Sequence, residues 1–186
     1  MKPRGRRDQD ELTELALAAA RGDHSAFEAW VRATQADVWR FLVHLNGMNT
    51  ADDLTQETYL RAVSALPRFA GRSSSRTWLL TIARRVVIDN IRRESARPRT
   101  SGQDWETIAE QASAGERGFE GAVDIQLLLD QLDTERREAL ILTQILGYSY
   151  AEAAEICACP VGTIRSRVAR AREELLATLR QQGNAS

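Results

Sequence analysis

Apolar positions along this chain recur at three- and four-residue spacing, and no segment alternates as a half-buried strand would. Phe27, Trp30, Val31, Val38, Phe41, Leu42 and Leu45 mark one face of a long amphipathic helix, and Ser25 with Glu28 forms a capping box ahead of it. Gly47 and Asn49 break that pattern. Thr50 with Asp53 opens the next helix, which must end by Pro67 because the residue before a proline disfavours helical geometry. The stretch FAGRSSSR is a polar loop, and a third helix is predicted from about Thr77 to Arg93. Residues from about Ser95 to Gly121 are rich in Pro, Ser, Gly and Glu and read as a linker. After it the pattern predicts helices over about Val123 to Gln131 and Asp133 to Leu146, stopped by Gly147. Ser149 with Glu152 forms a further capping box, opening a short helix that runs to about Cys157. Pro160 sits at the first turn of a final helix to about Arg180. The expected fold is all-α: two small helical domains joined by a flexible linker.

Composition is ordinary for a folded protein, with 43% hydrophobic and 27% charged residues over 186 positions. No apolar run approaches the roughly 18 residues needed to span a bilayer, and the basic start is followed by charged DQDELTE, so a cytoplasmic protein is expected. Lys2 is the only lysine among 25 basic residues, and the arginines that make up the rest have a planar fork suited to phosphate and base edges. Net charge is only −1, yet it is segregated. From Arg76 to Arg99 seven arginines oppose Asp89 and Glu94, and from Pro160 to Arg180 five oppose Glu173 and Glu174. Between Ser101 and Ala158 twelve acids face Arg117, Arg136 and Arg137. Two basic surfaces on either side of an acidic segment suggest two nucleic-acid contacts and one protein contact. Cys157 and Cys159 have no His or Cys cluster nearby to complete a zinc site and read as small core residues. His24 and His44 stand apart, and no nucleophile, metal-ligand or phosphate-loop motif occurs, so neither catalysis nor a cofactor is expected.

Residues 149 to 180 have the layout of a DNA-reading helix-turn-helix. On its longer helix Val161, Ile164, Val168, Ala171 and Leu175 form a core stripe, leaving Gly162, Arg165, Ser166, Ala169 and Arg170 outward. Arg165 and Arg170 can reach guanine edges or phosphates, and Thr163 with the first-turn amides suits a phosphate.

Three strings carry a likeness to a known family. YSYAEAAEICACPVGTIRSRVARAREEL, residues 148 to 175, closely resembles the −35-reading region 4 of the extracytoplasmic-function sigma factors, the small alternative specificity subunits of bacterial RNA polymerase. DDLTQETYLRAV at 52 to 63 resembles region 2.2, which grips the coiled coil of the polymerase β′ subunit. RFAGRSSSRTWLLTIARRVVIDNIRR at 68 to 93 resembles regions 2.3 and 2.4, which open and read the −10 element. The resemblance implies polymerase contacts at Asp53, Gln56, Glu57 and Leu60, and −35 recognition by Arg165, Ser166, Ala169 and Arg170, with Gly162 and Thr163 against the backbone. For the −10 strand it implies the loop Phe69, Arg72, Ser73, Ser74 and Ser75, followed by the stripe Trp78, Thr81, Arg85, Asp89 and Arg92. Trp78 by itself reads more readily as a core residue than as a stacking platform. The implied organisation is a basic tail over 1–10, region 2 over 11–95, an acidic linker over 96–121, region 4 over 122–182 and a short tail over 183–186. The implied partners are core polymerase, through its β′ coiled coil and β flap, promoter DNA, duplex at −35 and single-stranded at −10, and an anti-sigma factor. The competing reading is a stand-alone helix-turn-helix regulator, which would bind duplex DNA without polymerase.

Overall fold

The apolar stripes close on one another as helices in the computed structural model, which describes residues 6–96 and 126–183. In order these are α1 (Arg6–Ala20), α2 (His24–Asn46), α3 (Met48–Ala65), a short 3-10 turn (Leu66–Arg68), α4 (Ser75–Ala96), α5 (Thr134–Leu140), α6 (Tyr150–Cys157) and α7 (Val161–Gly183). Residues 126–130 are also helical, and α5 runs on into a π-helical turn, Ile141–Ile145. Helix α1 begins at Arg6, inside the stretch expected to be a basic tail. Leu12, Leu15, Ala16 and Ala19 give it an inward face of helical period. The acidic stretch from 97 to 121 lies outside the described residues; its expected start, Ala96, is the last residue of α4.

Helix α4 opens at Ser75, two residues ahead of the sequence reading, and the starts of α2 and α3 differ from it as well. Asp23, not Ser25, caps α2: its Oδ1 accepts from the Ala26 amide at 3.0 Å and from the Ser25 hydroxyl at 2.8 Å. Helix α3 starts at Met48 directly after Gly47, whose φ of +83° turns the chain while its amide closes on the Val43 carbonyl at 2.8 Å. Thr50 is therefore already helical, and its hydroxyl takes the Asn46 side-chain amide at 2.8 Å instead of capping.

Trp30 lies at the centre of the bundle formed by α1 to α4 and is fully buried. Its indole meets Phe27, Tyr59 and Trp78 at centroid distances of 6.1–6.3 Å, and Nε1 donates to the Ser75 hydroxyl at 3.1 Å. The Tyr59 hydroxyl, 2.8 Å from the Thr34 hydroxyl, has its pKa pushed up to about 12 by burial. Asp37 on α2 forms a buried pair with Arg76 on α4 at 2.6 Å, and Arg40 adds a second cation at 3.2 Å.

The two helical units expected from the sequence are packed on each other, with α6 against α4 and one continuous apolar core. The Arg76 guanidinium lies 4.7 Å over the Tyr148 ring, and Arg84 pairs with the buried Glu138 at 2.6 Å. His44 on α2 meets Gln126 at 3.2 Å.

Glu138 gives this contact a pH dependence. Burial raises its pKa above the ordinary 4.5, and the Arg84 charge opposes that rise. A carboxyl with a raised folded-state pKa contributes most to stability below its unfolded value and loses that contribution as pH climbs through the folded value. Denaturant unfolding of the wild type should therefore lose stability, relative to Glu138→Gln, as pH rises upward from 4.5, with no such component in the variant. Parallel pH profiles of the two proteins would contradict this assignment.

Candidate polymerase and nucleic-acid interfaces

On α3, residues three and four apart share a face, and Asp53, Gln56, Glu57 and Leu60 follow that spacing. Asp53 and Gln56 are exposed, Glu57 is half-buried, and Leu60 stands 60% exposed with Val63 close by at 47%. The opposite face, with Ala51, Leu54, Thr58 and Ala62, is buried against the bundle. The outer face thus offers acids and an amide around exposed apolar side chains. It continues onto α2 through Trp39, whose Nε1 donates to Asp52 Oδ1 at 2.8 Å. Gln35, Ala36, Arg40 and Thr55 line a shallow groove beside Trp39. The sequence reading missed this extension, because Trp39 lies one position off the core stripe that it followed.

The loop between the 3-10 turn and α4 is sorted by the packing beneath it. Phe69 is buried, its ring centroid 4.9 Å from that of the half-buried Trp78, so Trp78 belongs to the aromatic core. Ser75 is fully buried: its hydroxyl donates to the Leu12 carbonyl at 3.0 Å, and its amide donates to the Thr13 hydroxyl at 3.1 Å. Ser74 caps α4, with Oγ accepting from the Thr77 amide at 3.2 Å. Gly71 adopts φ +65°, a conformation that side-chain-bearing residues rarely take, and it turns the loop over Leu17. Of the loop residues read as facing DNA, Arg72 is exposed and Ser73 half-buried, while Phe69 and Ser75 point inward. Helix α1 holds the loop from below through Leu12, Thr13 and Leu17, a role that its apolar spacing alone does not reveal. Further along α4, Arg85 and Arg92 are exposed, Thr81 donates to the Thr77 carbonyl at 2.9 Å, and Asp89 pairs with Arg61 of α3 at 2.6 Å. That hydrogen bond is the main reason the Asp89 carboxyl stays below its usual pKa.

Helix α7 is held by the turn before it. The capping box opening α6 is complete: Ser149 Oγ accepts from the Glu152 amide at 3.2 Å, and Glu152 accepts from the Ser149 amide at 2.8 Å. Ala158 closes α6 at φ +51°, an unusual conformation for a residue other than glycine, and the chain reverses through Cys159 and Pro160. The Pro160 carbonyl accepts from the Thr163 amide at 2.9 Å, so proline stands just before the first helical residue and one of the first-turn amides is already occupied. Ile164, Val168 and Ala171 are buried, with Val161 and Leu175 partly so. Gly162, Arg165, Ser166, Ala169 and Arg170 are exposed, and Thr163 is half-buried. Arg167 points back to Glu135 instead. Arg165 and Arg170 are left on the outer face with no carboxylate partner among the described residues. Cys157 is buried, which raises its thiol pKa, and Cys159 is partly buried beside Arg167.

The profile of sigma-70 region 2 matches residues 30–97, and that of sigma-70 region 4 matches residues 122–175. The chain is 56% identical over 171 residues to the probable RNA polymerase sigma-C factor of Mycobacterium bovis, covering 91% of this chain and 92% of that one. This protein belongs to the extracytoplasmic-function sigma factors. The sigma factor EcfG of Rhodopseudomonas palustris is 39% identical over 77% of this chain and 79% of its own. Among solved structures, a chain of the complex of CnrH with the cytosolic domain of CnrY superposes with a TM-score of 0.72 at 27% identity, covering 92% of this chain and 98% of that one. The sigma factor RpoE of Bartonella quintana, in complex with the anti-sigma factor NepR, gives a TM-score of 0.65 at 28% identity, covering 83% of this chain and 96% of that one. The region 2 match begins within α2 and runs to the end of α4, the region 4 match ends within α7, and the outward residues named on α3, α4 and α7 fall inside them. Among the described residues no helix is long and apolar enough to cross a membrane.

The inward stripe of α7 sets up a test of the recognition helix. Ile164 is fully buried, so Ile164→Ala should cost about 2–5 kcal/mol of stability. Arg170→Ala, on the exposed face, should shift unfolding by no more than about 0.5 kcal/mol. Denaturant titration of the two variants checks both, and equal losses would mean that the faces of α7 are assigned wrongly.

Proposed function

We propose that this sigma factor divides its work among three exposed faces, and the observation that carries this reading is the segregation of surface charge by helix. The outer face of α3, with Asp53, Gln56, Glu57 and Leu60, binds the β′ coiled coil of core polymerase. Acids and an amide around an exposed leucine match a basic, partly apolar coiled coil. Arg72 and Ser73 meet an extruded base of the −10 strand, Ser74 shapes the loop that presents them, and Thr81, Arg85 and Arg92 track the strand along α4. Phe69, Ser75 and Trp78 support that surface from within. Helix α7 enters the major groove at −35, with Arg165, Ser166, Ala169 and Arg170 toward base edges and Gly162 and Thr163 toward the backbone. Region 4 also docks the β flap. The protein acts by binding and works in the cytoplasm beside the chromosome. An anti-sigma factor is a further partner, as the solved complex of the Bartonella quintana sigma factor with NepR suggests. The domain limits proposed are 11–95 for region 2 and 122–182 for region 4. The acids Asp104, Glu106, Glu110, Glu116 and Glu120, outside the described residues, follow the path of nascent RNA in the polymerase cleft. A stand-alone regulator has no support, because both units match sigma-70 regions.

Transcription by purified core polymerase and this chain from a genomic library tests the reading as a whole. Specific initiation at a shared −35 and −10 motif is expected; absence of polymerase-dependent initiation would reject it. Asp53→Arg tests the polymerase face more cleanly than a change at Glu57, because Glu57 also holds Arg61 at 2.8 Å. It should weaken holoenzyme assembly by at least about tenfold through like-charge contact, and leave the thermal melt unchanged. Arg165→Ala should relax preference at one −35 position by about 1–3 kcal/mol, read from promoters randomised there, with polymerase affinity intact.

A further inference from the structure

Arg61 is not among the residues assigned to polymerase or DNA, yet its guanidinium joins two of the faces. It lies on α3, one turn beyond Glu57. Nε donates to Glu57 Oε1 at 2.8 Å, and Nη1 donates to Asp89 Oδ2 on α4 at 2.6 Å. Resting on the reading of α3 as the polymerase face and α4 as the strand face, we propose that Arg61 is a positioning residue that couples polymerase binding to capture of the −10 strand.

The coupling follows from charge. Within this triad two carboxylates share one cation, while Arg92 and Arg93 of α4 also act on Asp89, so the Arg61 charge adds to a partial neutralisation of that carboxylate. Asp89 lies in the stripe between Arg85 and Arg92, where a polyanionic strand must run, and an incompletely neutralised carboxylate there repels it. When a basic group of the polymerase coiled coil engages Glu57, that carboxylate no longer competes for the guanidinium. Arg61 then serves Asp89 alone, and the face of α4 becomes more favourable to DNA. By linkage, strand capture strengthens polymerase binding by the same factor. The three side chains are 36–42% exposed, so solvent and salt screen the effect, and it is a matter of several-fold. A packing role is the alternative, since the same two bonds also tie α3 to α4.

The experiment uses full-length chain, core polymerase, and a fluorescent single-stranded oligonucleotide carrying the non-template −10 sequence found by the transcription assay. Two affinities are measured for each variant: chain for core polymerase, and assembled holoenzyme for the oligonucleotide. Arg61→Ala should leave polymerase affinity within about twofold and weaken oligonucleotide binding about fivefold, less at high salt. Adding Asp89→Asn, which removes the exposed charge but restores no tie between the helices, should return oligonucleotide binding to within about twofold of wild type. Unchanged oligonucleotide binding in Arg61→Ala overturns the proposal. So does failure of the second substitution to rescue, which would mark a packing role. A loss of polymerase affinity as large as the loss of oligonucleotide affinity also overturns it, making Arg61 itself a polymerase contact. If wild-type chain fails to bind core polymerase, the reading of α3 fails first and the coupling falls with it.

Discussion

A tryptophan cannot be buried cheaply unless its indole N–H finds an acceptor, and that constraint organises the first four helices. Trp30 is fully buried, and its acceptor is the hydroxyl of Ser75, forty-five residues away. The bond itself contributes about 1 kcal/mol, but leaving the donor unmade would cost about 1–3 kcal/mol. Satisfying it fixes where α4 begins. The same hydroxyl donates to Leu12, so α1 is drawn into the arrangement, and the loop from Phe69 to Ser74 has little freedom left. A surface that meets extruded bases must hold its shape before they arrive.

Helix α4 is the element under most demand. It packs on α1, α2 and α3 within its own unit and on α6 of the other. Arg76 illustrates the cost: it is buried against Asp37, its Nε has no hydrogen-bond partner, and part of its charge rests on the Tyr148 ring. With its other sides occupied, α4 has one stripe left for solvent. Arg85 and Arg92 lie on it, and Asp89 is held there by Arg61.

Nearly all the cations are arginine, and the structure sorts them into two populations. Arg76, Arg84, Arg136 and Arg167 turn toward carboxylates that join separate elements, where a rigid fork loses little entropy on pairing. Arg72, Arg85, Arg92, Arg165 and Arg170 are exposed. Identical side chains thus serve as internal ties or as binding groups according to the helix face that carries them.

The helical class, the order of the helices from α2 onward, the capping box at Ser149 and the outward face of α7 were legible in the sequence, while α1 was not. Each depends on spacing within one helix or one turn, and the 3.6-residue period resolves that directly. The family strings were equally local. Helix starts were read less well where two cap residues lay close together: Asp23 and Ser25 are both good caps, and in the folded chain the Asp23 carboxylate takes the Ala26 amide and the Ser25 hydroxyl as well. Tertiary structure alone decided the rest. That Phe69, Ser75 and Trp78 face inward depends on α1 and α2, distant in sequence, coming to lie beneath them. Arg61 meets Asp89 only because α3 and α4 pack side by side, and Arg84 meets Glu138 only because the two units dock. A charge read along the chain carries no information about its partner when that partner is twenty-eight or fifty-four residues away, since only the folded path brings the two together.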